Sequence, residues 1–221
     1  MYHAIASIGS KSYNYCRRKL FSLQFPDSII ESYLPSRVSI SPPVKLSHSV
    51  IVSSNGCPLS INSYTSVGAY SFLGPSLISI GKYCSLAPFA FVGAIEHDMT
   101  KISSSSALNP RWIAHNHRNY IHDSNQNAPS DSQVTVIEHD VWIGANSFIR
   151  SGVRLHTGCV IGANSVVLRD VPAYAIVAGA PAKIIRKRFS QPVINHYLGI
   201  IDWDSDLCTP AYLNSIHCAI S

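Results

Sequence analysis

The chain has 221 residues, 46% of them hydrophobic and only 13% charged, with a formal net charge of +5 at neutral pH. That length can bury a core, and its basic residues gather in two clusters (Arg17, Arg18, Lys19 and Lys183, Arg186, Lys187, Arg188) rather than in a stripe interleaved with aromatics, which argues against a nucleic-acid partner. No stretch approaches the ~20 apolar residues of a membrane span, residues 1–19 lack the apolar core of a signal peptide, and Cys16, Cys57, Cys208 and Cys218 have neither metal-ligand spacing nor a disulfide framework, so a cytoplasmic protein is expected.

Residues 1–45 read as an N-terminal extension. Within it Ser12 to Leu34, broken by Pro26 and followed by Pro35, is expected to form a short helix or a strand packed on the first coil of the chain's repeat. That repeat begins near residue 60. Ile61, Val67 and Leu73 are six residues apart, and after a one-residue slip Ile80, Leu86 and Val92 resume the spacing, with Thr65, Ser71, Cys84 and Ala90 at a compact position four residues after an aliphatic. The repeat fails over about 94–133, where His, Ser, Asn and Asp surround Pro110, Trp112 and Pro129. A long irregular segment within a rigid scaffold predicts a protruding functional loop.

From Ile137 the period returns without a miss through Ile143, Ile149, Leu155, Ile161 and Val167. A helix repeats apolar residues at about 3.6 and a half-buried strand at 2, so a period of six means short strands joined by corners around one axis. The compact position is filled by Val141, Ser147, Val153, Cys159, Ser165 and Val171, and Asn146, Gly152, Gly158 and Asn164 supply residues that tolerate positive φ at the corners. Three hexads make one triangular coil, which predicts an all-β parallel β-helix over 46–181. Cys84 and Cys159 fall on inward positions as small hydrophobes.

After the extended apolar run Ala173 to Pro181 comes a tail, 182–221. Ala182 to Arg188 is basic and amphipathic, with Lys187 and Arg188 expected as solvated charges on a helix face. Val193, Ile194, Tyr197, Leu198 and Ile201 have helical spacing and predict a C-terminal α-helix that covers the open end of the coil.

The segments Val141-Trp142-Ile143-Gly144-Ala145-Asn146, Ile161-Gly162-Ala163-Asn164 through Val171-Pro172, and Val177-Ala178-Gly179-Ala180-Pro181-Ala182-Lys183 through Phe189 resemble the C-terminal half of hexapeptide-repeat acetyltransferases. Ile194 to Trp203, with Asp202-Trp203-Asp204, is similar to the tail of the branch containing xenobiotic and sugar O-acetyltransferases. The resemblance covers roughly 60–205. It implies a left-handed β-helix, a homotrimer, and acetyl-CoA bound in the cleft between subunits, with no metal. Handedness comes from the resemblance and runs against the usual right-handed crossover.

Acetyl transfer to a hydroxyl requires a base that takes the hydroxyl proton near neutral pH, and His suits that task. His97 stands at the root of the long loop, where the resemblance places the catalytic His. Glu96 precedes it where the family often has Asn or Ser. The resemblance further implies pantetheine contacts at Ala145 and Ala163, a channel lined by Trp142 and Gly144, and nucleotide phosphates at Arg169, Lys183 and Arg186. Small residues are also wanted at corners for packing, and Trp142 suits packing as well as contact. With no nucleophile elbow around a Ser or Cys, direct transfer in a ternary complex is the expected scheme.

The preferred acceptor is a sugar hydroxyl of a surface polysaccharide or its precursor, because the Ser-rich stretch Lys101 to Ala107 looks like that of sugar O-acetyltransferases. Tyr64 and Tyr70 lie on the first coils, where acceptor choice is expected. An antibiotic hydroxyl of the chloramphenicol or streptogramin type is the alternative. From other classes, a γ-type carbonic anhydrase would need zinc ligands such as His115, His117 and His122 on rigid elements, but they lie in the irregular loop. A non-catalytic β-helix scaffold is the third reading.

Overall fold

The computed structural model describes residues 34–35, 37–53, 58–94, 96–97, 99, 102–105, 134–205 and 208–216, and the backbone at 29–30 and 217–220. Residues 1–28 of the expected extension, and His115, His117 and His122, lie outside the described residues.

Each coil has three faces, taken in chain order. Face 1 stacks β2 (Val38–Ile40), β5 (Leu59–Ile61), β8 (Leu77–Ile80), β11 (Thr135–Ile137) and β14 (Arg154–Leu155). Face 2 stacks β1 (Ile29–Ile30), β3 (Val44–Leu46), β6 (Thr65–Val67), β9 (Ser85–Leu86), β12 (Trp142–Ile143), β15 (Val160–Ile161), β17 (Ala175–Ala178) and β18 (Lys183–Lys187). Face 3 stacks β4 (Ile51–Val52), β7 (Phe72–Leu73), β10 (Phe91–Ala94), β13 (Phe148–Arg150) and β16 (Val166–Val167). All pairings are parallel except β17 with β18. The fold is the left-handed parallel β-helix.

The six-residue period places one aliphatic per strand on the axis. On face 2, Leu46, Val67, Leu86, Ile143, Ile161 and Val177 are register partners in one line, each no more than 3% exposed. Burying such a side chain contributes roughly 1.5–3 kcal/mol. The compact position turns inward as well, and its hydroxyls find carbonyls on the next coil: Thr65 Oγ1 donates to Gly81 O at 2.7 Å and Ser147 Oγ to Gly162 O at 3.0 Å. Cys84 and Cys159 are buried, and burial pushes the Cys84 thiol up to about 12.

Asn146, Gly152, Gly158 and Asn164 have positive φ, as their residue types predict. Tyr64, Tyr83, Tyr70 and Phe89 do as well, although a side chain there costs about 1–2 kcal/mol. Ring stacking offsets that cost: Tyr64 and Tyr83 lie 4.6 Å apart along the corner between faces 1 and 2, and Tyr70 and Phe89 lie 5.3 Å apart along the corner between faces 2 and 3.

Three features differ from the sequence expectation. The coil reaches N-terminally to Val38, because Ile40, Leu46 and Val52 already keep the period of six before the chain slips ahead of Ile61. Lys183–Lys187, expected as helix, is instead the antiparallel edge strand β18, whose cations discourage pairing with another sheet. Arg188 is not a solvated charge. It donates to Asp140 Oδ2 at 2.7 Å and Gly158 O at 2.8 Å and lies over the Tyr174 ring. The expected helix comes next as α1 (Gln191–Ile200), which buries Ile194 and Tyr197 against Tyr174 and Phe189, and α2 (Pro210–Ile220) ends the described chain. Trp203 stacks on His139, and Tyr83 donates to Cys208 O at 2.7 Å, so the tail lies along the corner between faces 1 and 2.

Ile149→Ala empties a fully buried site between Val92 and Val167 and is expected to cost about 2–5 kcal/mol in urea unfolding. Glu138 supplies a pH test. Burial disfavours its charge, but the Thr157 amide, His156, the Thr157 hydroxyl and Arg154 outweigh burial and lower its pKa below 4.5. A carboxylate lowered on folding stabilises above its unfolded pKa and loses that contribution as pH falls through the folded one. The melting-temperature gap between wild type and Glu138→Gln should therefore be present at pH 7 and shrink progressively below pH 4.5.

Candidate active site

The chain leaves the coil at the end of β10, on the corner between faces 3 and 1. A bulge separates Val92 from Ala94, and Gly93 (φ 70°) fits there because a Cβ would sit 2.7 Å from Ser76 Oγ. Where the chain returns, Thr135 Oγ1 bonds Ser76 Oγ at 2.9 Å and accepts from Gly152 N at 3.0 Å, so both ends of the excursion are stitched to one corner.

His97 lies just past this exit, exposed, with Nδ1 2.5 Å from the Ser104 carbonyl. A carbonyl only accepts, so Nδ1 is the donor, and in a neutral ring Nε2 is then the unprotonated nitrogen. Glu96 is paired elsewhere: Arg150, at the end of β13, donates Nε to its Oε1 at 2.8 Å and Nη2 to its Oε2 at 3.0 Å.

The cofactor residues expected from the sequence occupy other parts of the coil. Ala145 and Ala163 stack on the corner between faces 2 and 3, where Ala145 O accepts from Asn164 N at 2.9 Å and Asn146 Nδ2 donates to Asn164 Oδ1 at 2.8 Å. Gly144 allows this close stack, since a Cβ there would sit 2.5 Å from Ala163 N. Among the described residues nothing accepts a hydrogen bond from the Ala145 or Ala163 amide. Lys183 continues the same corner one rung on, through its pairing with Ala178. Trp142 points outward from face 2 and is 56% exposed, with Val160, Ile176 and Arg186 next in its column. Arg169 comes after β16 on the corner that carries the His97 loop. One chain therefore gathers Gly144, Ala145, Ala163 and Lys183 and separates them from His97 and Arg169 by the width of face 3.

The outer column of face 3 is apolar throughout: Ile51, Phe72, Phe91, Phe148 and Val166, with Phe72 and Phe91 stacked at 5.0 Å. Arg150 and the Ser104 carbonyl were not legible as site groups in the sequence. Arg150 reads as an ordinary residue after inward Ile149, and Ser104 becomes a partner only when the loop folds back. Among the described residues no group of His, Cys, Asp and Glu could hold a metal ion, and no helix is long and apolar enough to cross a membrane.

Residues 135–169 match the family model of the bacterial transferase hexapeptide (six repeats). A probable macrolide acetyltransferase of Lysinibacillus sphaericus is 38% identical over 140 residues, covering 61% of this chain and 73% of that protein. The chain belongs to the hexapeptide-repeat acetyltransferase family. A chloramphenicol acetyltransferase of Escherichia coli is 49% identical over 70 residues, 32% of this chain and 33% of that protein, so the chain matches about a third of that relative. One from Agrobacterium fabrum is 35% identical over 133 residues, 59% and 61% of the two chains. Among solved structures, AntD, an N-acyltransferase from Bacillus cereus in complex with dTDP and 3-hydroxybutyryl-CoA, superposes with a TM-score of 0.53 at 19% identity over 83% of this chain and 95% of that one. That likeness is one of fold.

Proposed function

We propose that this hexapeptide-repeat protein transfers an acetyl group from acetyl-CoA to a hydroxyl, with His97 as general base, in a ternary complex at a seam between copies of a homotrimer. The observation that carries the reading is the hydrogen bond from His97 Nδ1 to the Ser104 carbonyl, an arrangement that in a neutral ring leaves Nε2 to take the acceptor's proton. Acetyl-CoA supplies an activated acyl carbon. His97 takes the acceptor's proton as its oxygen attacks that carbon, and returns it to the departing thiolate, so the products are the acetyl ester and free coenzyme A.

The cofactor fits the second corner. The Ala145 and Ala163 amides suit the carbonyls of the pantetheine arm, Gly144 keeps the corner shallow, Trp142 offers an apolar wall, and Lys183 and Arg186 suit the phosphates. Because face 3 separates His97 from this corner within one chain, a neighbouring copy completes the site. The apolar column on face 3 and the exposed Met99 and Ile102 beside His97 supply surface for that copy. Arg169, on the His97 corner, then reaches phosphates only from across the seam. The buried free thiols of Cys84, Cys159 and Cys208 suit a reducing cytoplasm.

For the acceptor, Ser103, Ser104 and Ser105 close to His97 in sequence and the exposed rings of Tyr64 and Tyr70 favour a sugar hydroxyl. The macrolide and chloramphenicol acetyltransferase relatives favour a second reading, an antibiotic hydroxyl. Thiol release from acetyl-CoA, measured with nucleotide sugars, oligosaccharides, chloramphenicol and a macrolide, separates the two. His97→Ala is expected to lower kcat by about 10² to 10⁴ with acetyl-CoA affinity nearly unchanged; unaltered turnover removes His97 from the mechanism. Arg186→Ala should raise KM for acetyl-CoA more than it lowers kcat, and an unmoved KM would locate the phosphates elsewhere.

A further inference from the structure

Two separate contacts fix His97, and they do different things. The Ser104 carbonyl belongs to the same loop as His97, so that bond sets the ring relative to the loop. The Arg150 fork sets the loop relative to the coil: Arg150 comes directly after buried Ile149 on β13 and is the register partner of Ala94, the last residue of β10, two positions before Glu96.

We propose that the Glu96–Arg150 ion pair is a positioning device for His97, holding the root of its loop at a fixed height on the coil so that Nε2 meets the acceptor and thioester carried by the neighbouring copy. The inference rests on the acetyltransferase reading of the same site. Both Glu96 oxygens accept from Arg150 while His97 Nδ1 bonds the Ser104 carbonyl, so the carboxylate's shown partner is on the coil rather than the imidazole beside it. Among the described residues the apolar side chains nearest in sequence add little packing, since Met99 and Ile102 are 85% and 104% exposed. A bidentate guanidinium–carboxylate pair fixes both distance and plane, which a single long-range charge contact does not. Exposed pairs contribute little to stability, so the consequence of losing this one belongs in the rate, where small misplacements of a catalytic group are costly.

The test is a double-mutant cycle of Glu96→Ala, Arg150→Ala and the double variant. It is read by kcat and KM for acetyl-CoA with whichever of chloramphenicol, a macrolide or UDP-N-acetylglucosamine the wild type acetylates fastest, together with melting temperature. Each single variant should lose about tenfold in kcat, with KM within about twofold and melting temperature nearly unmoved, and the double should lose no more than the worse single. Unchanged kcat, additive losses, or losses that track melting temperature would each overturn the proposal. Amide hydrogen exchange needs no acceptor: peptides covering 95–105 should exchange faster in all three variants while those covering 134–167 do not, and unaltered exchange at 95–105 would also overturn it. His97→Ala, run alongside, separates the two levels of inference. If His97→Ala retains activity, the base assignment fails; if it is inactive while the cycle is flat, the positioning role alone fails.

Discussion

Everything in this molecule depends on the vertical stacking of equivalent residues from coil to coil. Ile143 lies on Leu86 below and Ile161 above, and the same one-rung step is repeated by the corner backbone, where Gly144 has no room for a Cβ beside Ala163. The interior is a set of aliphatic columns in which a side chain of the wrong size is felt above and below it, as close-packed cores require. Because strands of two to four residues cannot hold together alone, the rungs stabilise one another through ladder bonds and shared columns. Such a scaffold barely deforms, which suits chemistry that depends on a fixed distance between a base and a thioester.

The same regularity explains why function sits where the repeat is broken. A perfect coil offers only short outward columns and corners. On the proposed reading two departures matter: the insertion after Ala94, which brings out His97, and the small corner residues Ala145 and Ala163, whose amides have no acceptor among the described residues. They lie on opposite edges of face 3, and the apolar column between them, from Ile51 to Val166, is the surface that the proposed trimer would cover. On this reading the seam is a requirement of geometry: a single prism cannot bend its third corner onto its second.

The tail obeys the same logic at the other end of the prism. Arg188, with its charge on Asp140 and its plane over Tyr174, fixes the turn from β18 into α1, and Trp203 continues along the aromatic corner by stacking on His139. A cation that reads as solvated in sequence is thus spent on joining three segments: the corner at 140, the last coil and the helix that covers it.

The sequence by itself determined the coil. A period of six with compact fourth positions fixes which residues point inward, and residue type alone marks Asn146, Gly152, Gly158 and Asn164 as corners, because backbone sterics and burial act on each hexad independently of the rest. His97 stands out in the sequence because it lies where the period stops and where the family resemblance places a catalytic His. The onset at Val38 was obscured only by the slip ahead of Ile61, which shifts the register without destroying the columns. Tertiary structure alone decided what the irregular residues do. That Glu96 belongs to Arg150, 54 residues further on, that Ser104 turns its carbonyl to the imidazole within one loop, and that Lys183–Lys187 folds back on β17 instead of starting a helix are all decided by which segments meet in space. No local pattern encodes such contacts, because the partner's position exists only after the coil has formed.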